Sequence, residues 1–116
     1  MHKLMILIYP SAAWEAQEQH WPEFLRLAES MPNLRREAIS RVEQHLFGDQ
    51  AIVQVHELFF DTLVDAQQAM SSPQGRQAGQ LLQQMTGGRM ALFFAEHKED
   101  EIANILKYRQ QDEAAN

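Results

Sequence analysis

Cysteine is missing from all 116 residues. That excludes a disulfide framework, a thiolate metal site and a thiol nucleophile. Basic residues are few, 10 Lys and Arg against 16 Asp and Glu, for a formal charge of −6 with His neutral. No Lys/Arg block occurs, so the chain is a poor match for nucleic acid or an anionic membrane. No apolar run approaches the ~20 residues of a membrane span. Several catalytic signatures are missing too: no HExxH pair, no Walker loop, no GxGxxG after a strand and no GxSxG elbow. What is present is 45% hydrophobic residues, over a length that suits one domain of the common ~100–150 residues.

The N-terminus imitates a signal peptide, with Met1-His2-Lys3 ahead of Leu4–Ile8 and Ser11-Ala12-Ala13 beyond. Its apolar run is shorter than the ~7–15 residues of such a core, and an acidic, Gln-rich amphipathic segment follows at once. The expected location is the cytoplasm.

Lys3–Tyr9 is apolar on both alternating sets and stops at Pro10, which predicts a strand buried on both faces. Ser11 is a helix cap. Trp14, Trp21, Phe24, Leu25 and Ala28 fall on one helical stripe. Pro22 lacks an N–H and clashes with the preceding turn, so a kink or break is expected near His20-Trp21, with Pro22 opening a second helical piece. Met31-Pro32-Asn33 ends the helix.

Leu34–Phe47 alternates imperfectly. Leu34, Ala38, Val42 and Leu46 form one set, and Arg35, Glu37, Arg41, Glu43 and His45 dominate the other. This predicts a long strand near a sheet edge, where charge discourages edge-to-edge pairing. Gly48-Asp49 predicts a type II′ hairpin turn, and Ala51–Phe60 a third strand. Asp61 or Thr62 caps the next helix, with Leu63, Ala66 and Met70 as its buried side. Ser72-Pro73 restarts it, Leu81, Leu82 and Met85 continue its apolar face, and Gly87-Gly88 stops it. Arg89–Glu96 is the fourth strand. The tail from His97 is polar, with Ile102, Ile105 and Leu106 expected in a short docked helix and 110–116 expected to fray. The chain therefore divides into a domain over 1–98 and a polar tail over 99–116.

The order β-α-β-β-α-β is that of the α+β, ferredoxin-like fold, a four-stranded antiparallel sheet with two helices on one face. Right-handed crossovers put the third strand between the first and the second. The first, third and fourth strands are apolar on both sets, so the face away from the helices also calls for a cover. A second copy of the same sheet supplies it, which predicts a face-to-face homodimer.

The run Phe59–Gly75 (FFDTLVDAQQAMSSPQG) resembles the second half of EthD-like proteins, named after ethyl tert-butyl ether degradation protein D. So does Thr86-Gly87-Gly88 with the apolar strand after it. Lys3–Pro10, Met31–Arg36 (MPNLRR) and Ser40-Arg41-Val42 are similar to the family's first and second strands. The resemblance spans most of 1–96. It implies a dimeric α/β barrel made of two ferredoxin-like sheets. It also implies membership of a superfamily that includes cofactor-independent monooxygenases, polyketide cyclases, lactone isomerases and haem-degrading enzymes. Asn33 stands where the family usually has Gly, and Asn tolerates the left-handed turn. His20-Trp21-Pro22 matches the family's His-x-Pro, although the helix after it is about one turn longer than usual.

The resemblance makes His20 the leading acid/base candidate, since an imidazole titrates near neutral pH; the alternative is a surface or kink-capping His. Tyr9, at the end of the first strand, is either a hydrogen-bonding partner in a cleft or a solvated strand-end Tyr. His56 shares its alternating set with Gln54 on an otherwise apolar strand. That pair lines a pocket or interface, or else His56 is a hydrogen-bonded core residue. Trp14 and Trp21 form an aromatic wall for a flat ligand or part of the core. Arg35, Arg36, Arg41 and Arg89 are candidates to hold a carboxylate, but Glu37 and Glu43 between them point to cross-strand ion pairs on a solvated face. His97 with Glu99 and Asp100 is a weak metal-like cluster, and no metal or cofactor is expected.

Two functional classes follow. The first is a small-molecule enzyme or binder acting on an apolar or aromatic metabolite by cofactor-independent acid/base or oxidative chemistry. His20 and Tyr9 are its catalytic candidates, and Trp14, Trp21 and His56 line its site. The second is a non-catalytic dimeric accessory or stress-response protein with a filled interior.

Overall fold

The computed structural model describes residues 1–115, the side chains of 108 and 110–115 excepted. Four antiparallel strands, β1 (His2–Ile8), β2 (Arg36–Arg41), β3 (Gln54–Phe60) and β4 (Met90–Glu96), lie in the order β2-β3-β1-β4. The third strand thus sits between the first and the second, as the crossover rule requires.

The helices cover one face. Between β1 and β2, the segment is α1 (Ala12–Gln17), a 3₁₀ turn (Glu18–His20) and α2 (Trp21–Glu29). Ser11 caps α1 by accepting the Trp14 N–H at 3.0 Å. The break falls at His20-Trp21, with Pro22 in the first turn of α2, where a missing N–H costs nothing. Asn33 adopts a left-handed φ of 68° in the turn into β2, a conformation open to Asn.

The second connection is α3 (Leu63–Ser71) and α4 (Pro73–Thr86). Thr62 caps α3 by accepting the Asp65 N–H at 3.1 Å. Ser72 caps α4 by accepting the Gly75 N–H at 3.0 Å while its own hydroxyl donates to the Ala69 carbonyl at 2.6 Å. Gly87, left-handed at φ 61°, ends α4. The buried side of α3 is Ala66 and Ala69, and Leu63 is exposed, because the helix approaches the sheet through its small residues. The core joins Leu4, Ile6 and Ile8 of β1, Leu58 and Phe60 of β3, and Trp14, Phe24, Leu82 and Met85 of the helices.

Two expectations change. The strand expected over 34–47 is only Arg36–Arg41, and the two-residue hairpin turn is instead a loop over 42–53. Residues 42–51 are all exposed, Leu46 at 86% and Phe47 at 96%. The alternation there carries charge on one set and has no neighbouring layer for the other, so nothing holds the ladder together. The tail helix, α5 (Ile102–Ala115), is longer than expected, and Ile102, Ile105 and Leu106 remain exposed instead of docked. The fraying expected over 110–116 concerns side chains outside the described ones, and Asn116 lies outside the described residues entirely.

The face opposite the helices is open. Register places Ala38, Glu57, Met5 and Phe93 in one row across it, with Arg36, Phe59, Lys3 and Ala95 in the next. Lys3 and Glu57 form an ion pair of 2.6 Å on this face.

Candidate functional site

Strand alternation turns Gln54, His56, Leu58 and Phe60 of β3 toward the helices, and all four are buried. In β2 the same face is taken by Glu37 and Ile39, which pair with Leu58 and His56. A carboxylate and an imidazole thereby meet under the helix layer. His56 Nε2 lies 3.4 Å from Glu37 Oε2, with His56 fully buried and Glu37 mostly so. That separation is too long and too poorly aligned for a hydrogen bond.

The helices complete the enclosure. Trp21 meets the His56 ring edge-on at 5.3 Å between centroids, and Phe24 does so at 5.8 Å. Trp21 stacks on Phe24 at 4.5 Å, and Trp14 backs Trp21 edge-on at 5.6 Å. The restart of the helix at Trp21 positions the indole, because Trp21 opens α2 and Phe24 follows one turn later.

Polar atoms in this cluster are unpartnered. Among the described residues, the buried side-chain atoms without a hydrogen bond are His2 Nδ1 and six others: the two His56 nitrogens, Glu37 Oε2, Gln54 Nε2 and both indole nitrogens. Buried polar groups are nearly always paired, so this concentration distinguishes the cluster from ordinary core. Burial pushes the His56 imidazole down to about 4 from 6.5, against the opposing charges of Glu57 and Glu29. Burial, then a hydrogen bond with Glu29 and its negative charge, push the Glu37 carboxyl up to about 7 from 4.5. At neutral pH His56 is an uncharged base, and Glu37 is poised between its acid and base forms.

Of the residues singled out from sequence, Trp14, Trp21 and His56 are brought together. His20 is exposed at the end of the 3₁₀ turn and makes no side-chain cap. Tyr9 follows directly after β1, is half-buried, and its N–H donates to the Arg89 carbonyl at 3.1 Å. The structure does not join Tyr9 to the cluster. Arg35 pairs with Asp61 at 2.8 Å, and Arg36 with Glu99 at 3.1 Å while lying over Phe59. Neither uses Glu37 or Glu43 as cross-strand pairing suggested. Both pairs are solvent-exposed and contribute little stability. No group of three or more His, Asp or Glu among the described residues is arranged to hold a metal, and none of their helices is long and apolar enough to cross a membrane.

Sequence reasoning does not single out Glu37 or Glu29 as site residues. The set containing Glu37 reads as solvated because it also holds Arg35, Arg41 and Glu43. Only the pairing of Glu37 with Leu58 turns it inward.

A scan against family models gives no match, and neither does a search of curated proteins. Solved structures do match. An EthD family protein from Bacillus halodurans superposes with a TM-score of 0.75 at 23% identity, over 84% of this chain and 99% of that one. A dimeric ferredoxin-like protein of unknown function from Jannaschia sp. superposes with a TM-score of 0.62 at 13% identity, over 83% of this chain and 97% of that one. The chain has the ferredoxin-like fold. The same ferredoxin-like frame matches SnoaB, a cofactor-independent oxygenase from Streptomyces nogalater, with a TM-score of 0.61 at 10% identity, over 87% and 95% of the two chains. These likenesses carry the fold. One of them also matches the resemblance to EthD-like proteins read from the sequence.

Proposed function

We propose that this ferredoxin-like chain works as half of a homodimeric α/β barrel that binds, and by proton transfer converts, a small apolar or aromatic metabolite at the His56 cluster without a cofactor. The observation that carries the reading is the fully buried His56 with both ring nitrogens unpaired, set beside Glu37 and walled by Trp21 and Phe24. At pH 7 the buried imidazole is uncharged, with one ring nitrogen a donor and the other an acceptor for a ligand. Unpaired indole and amide donors suit a ligand with acceptor oxygens. The acid/base role expected of His20 passes to His56 in this reading, with His20 at the exposed approach to Trp21. Structural neighbours that are cofactor-independent or of dimeric ferredoxin-like type are compatible with it.

Native mass spectrometry of the purified protein tests the binding step. A small ligand carried by the native chain and lost from His56→Leu supports the reading; a ligand retained equally by both variants sinks it.

A second reading, a non-catalytic accessory dimer, draws on the tight interior. The gap lined by Leu4, Ile6, Phe24 and Leu82 has a volume of only about 10 Å³ and is apolar, far below the ~300 Å³ of a usual ligand pocket. On that reading the native chain carries no ligand.

A further inference from the structure

The tail after β4 does not leave the sheet at once. His97 continues the alternating set of Phe93 and Ala95, which belongs to the open face. Its ring meets Phe59 of β3 edge-on at 4.9 Å, and its backbone N–H donates to the Met1 carbonyl at 2.8 Å. Glu99 then pairs with Arg36 of β2 at 3.1 Å and with His97. Arg36 and Phe59 share a row of the open face with Lys3 and Ala95. Residues 97–101 are therefore a strap across the end of that face, from the β4 edge to the β2 edge. Three strand spacings come to about 14 Å, and five extended residues span about 17 Å, so the strap is just long enough for the crossing.

α5 starts where the strap ends, and it stands apart from the body. Among the described residues it packs against no other element. The chain reaches 57 Å along its longest axis with a radius of gyration of 17.5 Å, where a compact chain of this size has about 13 Å. A lone helix of 14 residues is marginal in water, since most helical stability in proteins comes from a packed apolar face. Such a face is present: Ile102, Ile105 and Leu106 fall on one stripe and all three are exposed. A matching surface lies on β4. Leu92 and Phe94 pair with Ile6 and Leu4, so they face the helix layer, yet both stay exposed because the helices leave that edge uncovered. The same chain's α5 is in the wrong place to use it, since the strap delivers α5 at the β2 edge and β4 is the opposite edge of the sheet. Charge fits as well. Lys107 and Arg109 follow the stripe, and the β4 flank ends at Glu96, whose contact with Lys98 is exposed and weak.

We propose that the strap hands α5 to a second copy of the chain, where Ile102, Ile105 and Leu106 dock on the partner subunit's Leu92 and Phe94. This rests on the homodimer of the proposed function and is independent of the chemistry at His56. In a face-to-face pair whose two-fold axis runs along the strands, the β2 edge of one sheet lies over the β4 edge of the other. The arm leaves its own sheet at the β2 edge and meets the partner's β4 flank directly. The exchange is mutual, so two arms fill two flanks and the symmetry closes. Leu92 also lines the small apolar gap beside Phe24 and Leu82, so each docked arm covers the rim of the other chain's core.

The native chain has no cysteine, so an introduced pair reports without background. Two full-length forms, one with Leu106→Cys and one with Phe94→Cys, are co-expressed and oxidised. The expected product on a non-reducing gel is a covalent pair of unlike chains. Asn104→Cys, on the other side of α5, gives no such pair when it replaces Leu106→Cys. A single chain carrying both Leu106→Cys and Phe94→Cys also links to a second copy. A link closed within one chain overturns the exchange, and so does the absence of any link. The second readout needs no cysteine. Replacing Ile102, Ile105 and Leu106 together by Ser is expected to raise the dimer dissociation constant about tenfold or more in sedimentation equilibrium, and an unchanged constant overturns the docking. A native chain that sediments as a monomer sinks the homodimer and the exchanged arm together. A native dimer with unlinked cysteines and an unchanged constant sinks the arm alone.

Discussion

His56 and Glu37 pull the pH dependence of stability in opposite directions. His56 is lowered from 6.5 to about 4 in the folded chain. The unfolded chain therefore binds the extra proton between those values, and the contribution of His56 is full above 6.5 and lost as pH falls through about 4. A shift of that size corresponds to at most about 3 kcal/mol. Glu37 is raised from 4.5 to about 7. Here the folded chain binds the extra proton, so its contribution is full below 4.5 and lost as pH rises through about 7. The two slopes largely cancel between pH 4.5 and 6.5. Urea unfolding at a series of pH values is expected to give a nearly flat profile for this pair in the native chain. Glu37→Gln unmasks the histidine, and stability falls by up to about 3 kcal/mol from pH 6.5 to 4. His56→Gln leaves the opposite slope, with stability falling as pH rises from 4.5 to 7. Identical profiles in all three proteins would show that the two groups are not buried together. At this scale the sequence is half legible. Gln54 and His56 stand out as polar residues on an apolar strand. The partner of His56 does not, because a Glu among Arg and Glu carries no sign of which way it faces until pairing sets the register.

Elements are governed by local chemistry, and the joint between α3 and α4 shows how tightly. Ser72 caps α4, accepting from Gly75 and donating back to Ala69. Gly75 sits where the two helices touch. A Cβ there would lie 2.1 Å from the Ala69 carbonyl oxygen and 2.8 Å from the Met70 Cα. Both neighbours are backbone and cannot swing away. Gly75→Ala is expected to cost several kcal/mol, on the order of 3 or more, or to prevent folding, because the helices must separate. Gly79, one turn later in the same helix, meets nothing within 4 Å. Gly79→Ala is expected to stabilise by about 0.5–1 kcal/mol through helix propensity alone. Thermal unfolding of the two variants checks the pair, and a Gly75→Ala protein as stable as the native chain would refute the packing. The Ser-Pro restart, the Pro22 break and the Gly87 stop are legible in the sequence because each rests on a single residue's geometry. The hairpin is not. Gly48 signals a turn, but how far two strands stay paired depends on what lies above them, and over 42–51 nothing does.

For the whole molecule, the open sheet face is the dominant unsatisfied feature. Met5 and Phe93 are adjacent across β1 and β4 on that face, and Phe59 is buried beneath Arg36, Lys3 and His97 at one end of it. Such a surface gains about 25 cal/mol for each Å² removed from water. The two-sided apolar pattern of β1 makes this face legible in the sequence itself, and the dimeric neighbours have the same fold. The Lys3–Glu57 pair narrows how a second copy can sit. At 2.6 Å it neutralises itself, so it can be covered without leaving a lone charge, whereas a new charge beside it cannot. Phe93→Lys places an unpaired ammonium on the face, and two-fold symmetry places two in the interface. The expected effect is a loss of a few kcal/mol, on the order of a hundredfold or more in the dimer dissociation constant. Val64→Lys supplies the control, since Val64 is exposed near the start of α3 in the helix layer. Sedimentation equilibrium at micromolar concentration should find a dimer for the native chain and for Val64→Lys, and monomer for Phe93→Lys. A native chain that sediments as a monomer would refute the covered face. A Phe93→Lys protein that stays dimeric would move the interface to another surface, such as the exposed Leu92 and Phe94 of β4, Leu46 and Phe47 of the 42–53 loop, or Ile102, Ile105 and Leu106 of α5.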